Sequence, residues 1–146
     1  APSSITRLQN MGTPDYLISA AVSLILAQRL ARKTCPNCRV PDEDITPKAL
    51  ADFGFTVEEA SRAKVQKGSG CNECKDSGYK GRMGIYEILS VSKPIKEAIL
   101  RQATTPELKE IAMREGFRTM QDMGRELILT GDLNFREFDR VLSTEG

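Results

Sequence analysis

Apolar residues fall three and four positions apart toward both ends of the chain, the spacing that lays them on one face of a helix. Ile5, Leu8 and Met11 follow Ser3 and Ser4, either of which can cap a short helix that Gly12 is placed to end. A second helix is predicted over "TPDYLISAAVSLILAQRLARK", with Thr13 as N-cap, Pro14 at its first position and Asp15 at the positive end of the dipole. Between Leu17 and Ala27 only Ser19 and Ser23 interrupt the apolar surface, so this helix is expected to be buried on every side. Too little partner surface is left in the chain to cover it, which implies a neighbouring domain. Arg29, Arg32 and Lys33 then fall in its last turn and complement the negative end of the dipole.

From Thr34 to about Ser90 the texture changes to glycine, proline, lysine and short turns. "TPKALADFGF" and "TVEEASRAK" each open with Thr ahead of helix formers, predicting two short helices. "GYKGRMGIYEIL" has turn glycines followed by Met83, Ile85, Tyr86, Ile88 and Leu89, a short β-hairpin or strand. Beyond Ser92 the helical spacing returns. It is carried by Ile95, Ala98, Ile99 and Leu100, by "TPELKEIAMREG", by Met120, Met123, Leu127 and Ile128, and by Phe135, Phe138, Val141 and Leu142. The fold class expected is mainly α with a small β-hairpin.

Composition narrows the field. With 21 basic and 20 acidic residues the net charge is +1, so no global attraction to nucleic acid or anionic lipid is built in. The longest run without a charge, Tyr16 to Gln28, is shorter than the roughly 20 apolar residues of a membrane-spanning helix. A cytoplasmic chain is expected. It opens at Ala1 and enters a helix pattern almost at once, as a piece of a larger protein would.

All four cysteines lie in two C-x-x-C turns, Cys35-Pro-Asn-Cys38 and Cys71-Asn-Glu-Cys74, with 32 residues between them. Each such turn delivers two thiolates at the bite that a tetrahedral zinc ion takes. Four thiolates leave no open coordination position, so the metal would be structural. It would close the excursion between the pairs with on the order of 10 kcal/mol of apparent binding energy. Iron of the rubredoxin type would share the ligand set. Two disulfides fit an exported protein better than this chain, and a redox pair belongs beside a βαβ pattern that is absent.

The chain has no histidine, hence no His-based acid, base or ligand, and no G-x-x-x-x-G-K-[ST] to cradle nucleotide phosphates. Catalytic residues are expected to be none. Arg29 and Arg32 are read as dipole partners rather than nucleotide contacts. Tyr79, Lys80 and Arg82 are read as balancing the charge of a tetrathiolate or meeting a partner protein, a nucleic-acid contact being the other use of such a cluster. Met113, Met120 and Met123 are expected in the core. Asp42, Glu43 and Asp44 are expected in a solvated turn.

Three blocks carry a resemblance: "ITRLQNMG" to "AQRLARKTCPNC", the second cysteine pair with "GYKGRMGIYEIL", and "FRTMQDMG". Together they resemble the C-terminal portion of the secretion ATPases of the type II secretion and type IV pilus assembly superfamily. The resemblance implies that residues 1–34 are the last helices of a RecA-like core, 35–90 a four-cysteine metal-binding subdomain and 91–146 a helical C-terminal subdomain. It implies a structural zinc on Cys35, Cys38, Cys71 and Cys74, with ATP and Mg2+ bound by the parent enzyme only. It further implies a homo-hexameric parent, peripheral at the inner membrane without insertion, driving pilin or pseudopilin assembly through a platform protein. Nucleic acid is not among the partners so implied. A free-standing zinc-ribbon module acting on nucleic acid is the rival reading, and a redox protein a third.

Overall fold

The computed structural model describes residues 1–142. The chain divides into two compact units: Ala1–Gln28 with Tyr86–Thr119, and Arg29–Ile85 with the residues from Met120 onward. It passes between them along two long strands, β1 (Leu24–Thr34) and β4 (Tyr79–Ser90), which are hydrogen-bonded neighbours. The Val91 N–H donates to the Ser23 carbonyl and the Cys35 N–H to the Gly78 carbonyl, so the two strands run antiparallel.

β1 overturns the expectation of one long buried helix. The helix is only α2, Asp15–Ala21, and Val22 leaves it in an extended conformation. Along β1, Leu24, Leu26 and Leu30 are each about half exposed, whereas Ile25, Ala27 and Arg29 between them are more covered and Ala31 is buried, the alternation of a strand with one face turned outward. A short apolar run fits either a helix or a strand by pattern alone, and pairing with β4 decides for the strand here. Arg29, Arg32 and Lys33 therefore do not stand in the last turn of a helix of their own, and the Arg29 guanidinium instead donates to the Val141 carbonyl at 3.2 Å.

In the first unit, α1 (Ser3–Asn10) and α2 pack with α5 (Lys93–Leu100) and α6 (Thr105–Arg114). Their shared core is Ile5, Ile18, Leu89, Val91, Ile95, Ile99 and Leu108, with the small Ala98, Ala103 and Ala112. The expected serine cap of α1 is not formed, since Pro2 occupies the N-cap without a side-chain bond. α6 is capped one residue ahead of the Thr that opens "TPELKEIAMREG": the Thr104 hydroxyl accepts the Glu107 N–H, Thr105 is already helical, and Pro106 lies in the first turn. Of the methionines expected in the core, Met113 on α6 is instead 45% exposed.

In the second unit, β2 (Arg39–Pro41) and β3 (Gln66–Gly68) pair antiparallel with Arg39 opposite Gly68. Between them lie the two short helices that the Thr signals predict, α3 (Pro47–Asp52) and α4 (Val57–Arg62). The Thr46 hydroxyl caps α3, and Thr56 with Glu59 closes a reciprocal capping box on α4. Two more helices complete this unit, α7 (Met120–Thr130) and α8 (Phe135–Leu142). Gly124 lets α8 press onto α7, because a Cβ there would meet the Phe138 ring and Leu142 at 2.6 Å. Phe53, after α3, sets its ring edge-on to Phe135 at 4.9 Å and to Phe138 at 5.8 Å, tying α3 to α8.

Candidate metal centre

Both C-x-x-C turns lie in the second unit, the first between β1 and β2 and the second between β3 and β4. The backbone converges there in two steps. The Cys35 N–H donates to the Gly78 carbonyl, and Ser69 donates through its N–H and its hydroxyl to the Cys38 carbonyl. After Cys74 the chain reverses through Lys75 and Asp76, both left-handed at φ 56° and 61°, and the Asp76 N–H returns to the Cys71 carbonyl.

These turns bring the four sulfurs within 4.8 Å of one another. Cys35 Sγ lies 3.7 Å from Cys71 Sγ, Cys38 Sγ 3.8 Å from Cys74 Sγ, and the Cys71 and Cys74 sulfurs are 3.6 Å apart. A disulfide needs about 2.05 Å. A tetrahedron of thiolates around zinc, with metal–sulfur bonds of about 2.3 Å, has edges of about 3.8 Å. The donor set and its spacing fit the tetrathiolate. Cys35, Cys38 and Cys74 are buried and Cys71 is half-buried, so the cluster is largely screened from water.

The sulfurs are held mainly by backbone donors. Gly70 N–H reaches Cys38 Sγ at 3.2 Å, while Cys71 N–H at 3.3 Å and Gly78 N–H at 3.2 Å both reach Cys74 Sγ. Burial pushes the Cys74 thiol up, but the Gly78 and Cys71 amides outweigh it and hold the group down to about 6. At Cys38 burial dominates over the single Gly70 amide and pushes the thiol up to about 11. Cys71 is lowered, first by the Asn37 side chain and then by the Cys74 backbone amide. One sulfur is thus prepared to be an anion before any cation arrives, and the amide dipoles that prepare it are the ones that stabilise thiolates around a metal.

The basic and aromatic residues beside the second pair do other work. Lys80 pairs with Glu73 at 3.4 Å in the open. The Tyr79 ring lies 4.0 Å beneath the Arg32 guanidinium, and the Tyr79 hydroxyl accepts from the Asn134 amide at 2.9 Å. Arg82 reaches neither the sulfurs nor Tyr79 through a hydrogen bond. The Asp42 carboxylate accepts the Asp44 N–H, and Asp44 stands 3.9 Å from Lys67 in a turn away from the sulfurs.

One residue escaped the sequence reading altogether. Glu137, on α8, is fully buried, and its carboxylate accepts the Arg32 N–H, the Arg32 guanidinium and the Arg140 guanidinium. Burial pushes that carboxyl up, yet the two guanidiniums and the amide outweigh it and hold it at about 2. A glutamate at i−3 from an arginine on a helix reads as an ordinary surface pair. Only β1 arriving beside α8 makes it a buried anchor.

The chain matches the model of the family described as Type II/IV secretion system protein over residues 1–140. It is 36% identical over 137 residues to the type IV pilus assembly ATPase PilB of Myxococcus xanthus, covering 94% of this chain and 24% of that protein. The corresponding protein of Thermus thermophilus is 39% identical over 140 residues, covering 94% of this chain and 15% of the relative. Type II secretion system protein E of Klebsiella pneumoniae is 34% identical over 138 residues, covering 94% and 27%. The chain therefore spans about a quarter or less of the length of these relatives.

Proposed function

Because this chain belongs to the family of Type II/IV secretion system proteins, we propose that it is the C-terminal portion of an ATPase that powers pilin or pseudopilin assembly. The parent is a homo-hexamer in the cytoplasm, peripheral at the inner membrane, and it acts on a membrane platform protein. ATP and Mg2+ bind upstream of these residues, in the RecA-like core to which residues 1–34 belong. The chain itself carries no phosphate-binding loop and is inactive alone.

Residues 35–90 are the metal-binding subdomain, with Cys35, Cys38, Cys71 and Cys74 as ligands of one structural Zn2+. The ion supplies a fixed cross-link between the two turns and no chemistry on a substrate. The residues around it do the rest. Gly70, Cys71 and Gly78 amides stabilise the thiolates, and Glu137 fixes β1 to α8 through Arg32, while Arg140 of the same helix shares its charge. A helical relay in residues 91–146 then carries nucleotide-driven movement toward the platform.

The observation that carries this reading is the four-sulfur cluster in a chain whose relatives are named as pilus-assembly and secretion ATPases. The half-exposed Leu24 and Leu26 of β1 support it, since they suit a strand covered by the rest of a larger protein. The test is made on the full-length parent. Cys35→Ser and Cys74→Ser are expected to abolish pilin or pseudopilin assembly and to lower zinc content while nucleotide binding persists. Wild-type protein free of zinc, with four freely alkylated thiols in the native state, would falsify the metal assignment.

A further inference from the structure

On the second unit a cavity of about 470 Å3 is lined by Leu30, Ala31, Arg32, Arg82 and Arg140. No acidic side chain lines it among the described residues. This groove has a smaller neighbour of about 270 Å3 that shares Arg32 and Arg82 and is also lined by Tyr79 and Gly81. Arg32 and Arg140 each give two guanidinium contacts to a single carboxylate, Glu137, which is buried beneath them. Arg82 is exposed, and its side chain makes no hydrogen bond or ion pair among the described residues. Three guanidiniums on one groove with one buried carboxylate leave an excess of two positive charges facing outward, and like charges this close repel unless an anion joins them.

The groove's size and walls say which anion. It is far larger than one phosphate, it runs past more than one guanidinium, and Leu30, 55% exposed, offers an apolar contact in its wall. Guanidiniums bind carboxylates through paired N–H donors, and arginine is among the residues enriched where proteins meet. We infer that the groove formed by Arg32, Arg82 and Arg140 with Leu30 docks an acidic segment of a partner protein, carrying carboxylates and at least one apolar side chain. Arg82 is the residue held in reserve for that partner, because the other two are already committed to Glu137. The inference stands on this unit alone and does not depend on the motor reading.

The test uses the zinc-loaded full chain and a fluorescein-labelled short peptide alternating glutamate and leucine, followed by fluorescence anisotropy at low salt. Wild type is expected to bind it, more weakly as salt rises, and not to bind the peptide with glutamine in place of glutamate. Arg82→Glu is expected to weaken binding by about tenfold or more. Because the Arg82 side chain makes no hydrogen bond or ion pair among the described residues, the melting curve of the variant should stay that of wild type, and a matching curve separates lost binding from a folding defect. Equal binding by Arg82→Glu and wild type overturns the inference, as does failure of the acidic peptide to bind. Arg82-dependent binding of pyrophosphate without binding of the peptide overturns it too, since the groove would then be a small-oxyanion site.

Discussion

Gly68 and Gly78 pass so closely that a Cβ on Gly68 would lie 2.1 Å from the Gly78 carbonyl oxygen. That carbonyl accepts the Cys35 N–H, and the N–H of the same residue donates to Cys74 Sγ. The contact is backbone against backbone, so nothing flexible can give way. One bare crossing therefore sets the distance between the two cysteine turns.

Gly68→Ala should force the crossing open and separate the sulfurs. The expected outcome is a zinc affinity reduced by at least about tenfold, in the range that supporting residues of metal sites lose on mutation. Competition with a chromogenic chelator measures it. Unaltered affinity would contradict the crossing's role.

Removing the metal should unfold the cysteine module. Cys74→Ser, or wild type treated with chelator, is expected to melt earlier than the zinc-loaded chain and to lose protection of amides in residues 35–78 first. Hydrogen exchange resolves this by segment. Amide protection that is the same with and without metal would mean that the module folds without it.

Glu137→Gln leaves Arg32 and Arg140 without their shared carboxylate. Loss of one partner of a fully buried pair costs about 3–5 kcal/mol. Both guanidiniums here are about half exposed, so about 2 kcal/mol is expected, read from urea unfolding of the two chains.

The same carboxyl makes stability depend on pH. It titrates at about 2 in the folded chain and near its ordinary value of 4.5 when unfolded. The folded value is the lower one, so its contribution is complete above pH 4.5 and disappears as pH falls toward 2. Between those limits the difference in urea midpoint between wild type and Glu137→Gln should shrink; a constant difference would count against the ion pair.

Gly124→Ala would drive a methyl group to within 2.6 Å of the Phe138 ring and Leu142. Side chains can shift where backbone cannot, so the expected loss is about 1–3 kcal/mol with zinc binding retained. Thermal melting alongside metal titration separates this from the effect at Gly68.

Much of the second unit was legible in the chain's own order. Thr46 and Thr56 cap the helices that their positions announced, and the paired C-x-x-C turns converge as their spacing implied. The misreading fell on residues 24–34, where "LILAQRLARKT" contains helix formers and no local residue that selects a strand. Glu137 was missed for a related reason: its burial comes from Arg32, 105 positions earlier, and nothing in its own helix signals that contact.

By itself, the sequence determined the two C-x-x-C turns, the threonine caps of α3 and α4 and the four sulfurs, because each depends on side chains within a few positions of the backbone they act on. Only the tertiary structure decided that residues 24–34 are extended, that Gly68 and Gly78 cross and that Glu137 anchors two arginines. A strand's hydrogen bonds, a backbone crossing and a buried charge are each completed by partners far along the chain, and local pattern carries no record of them.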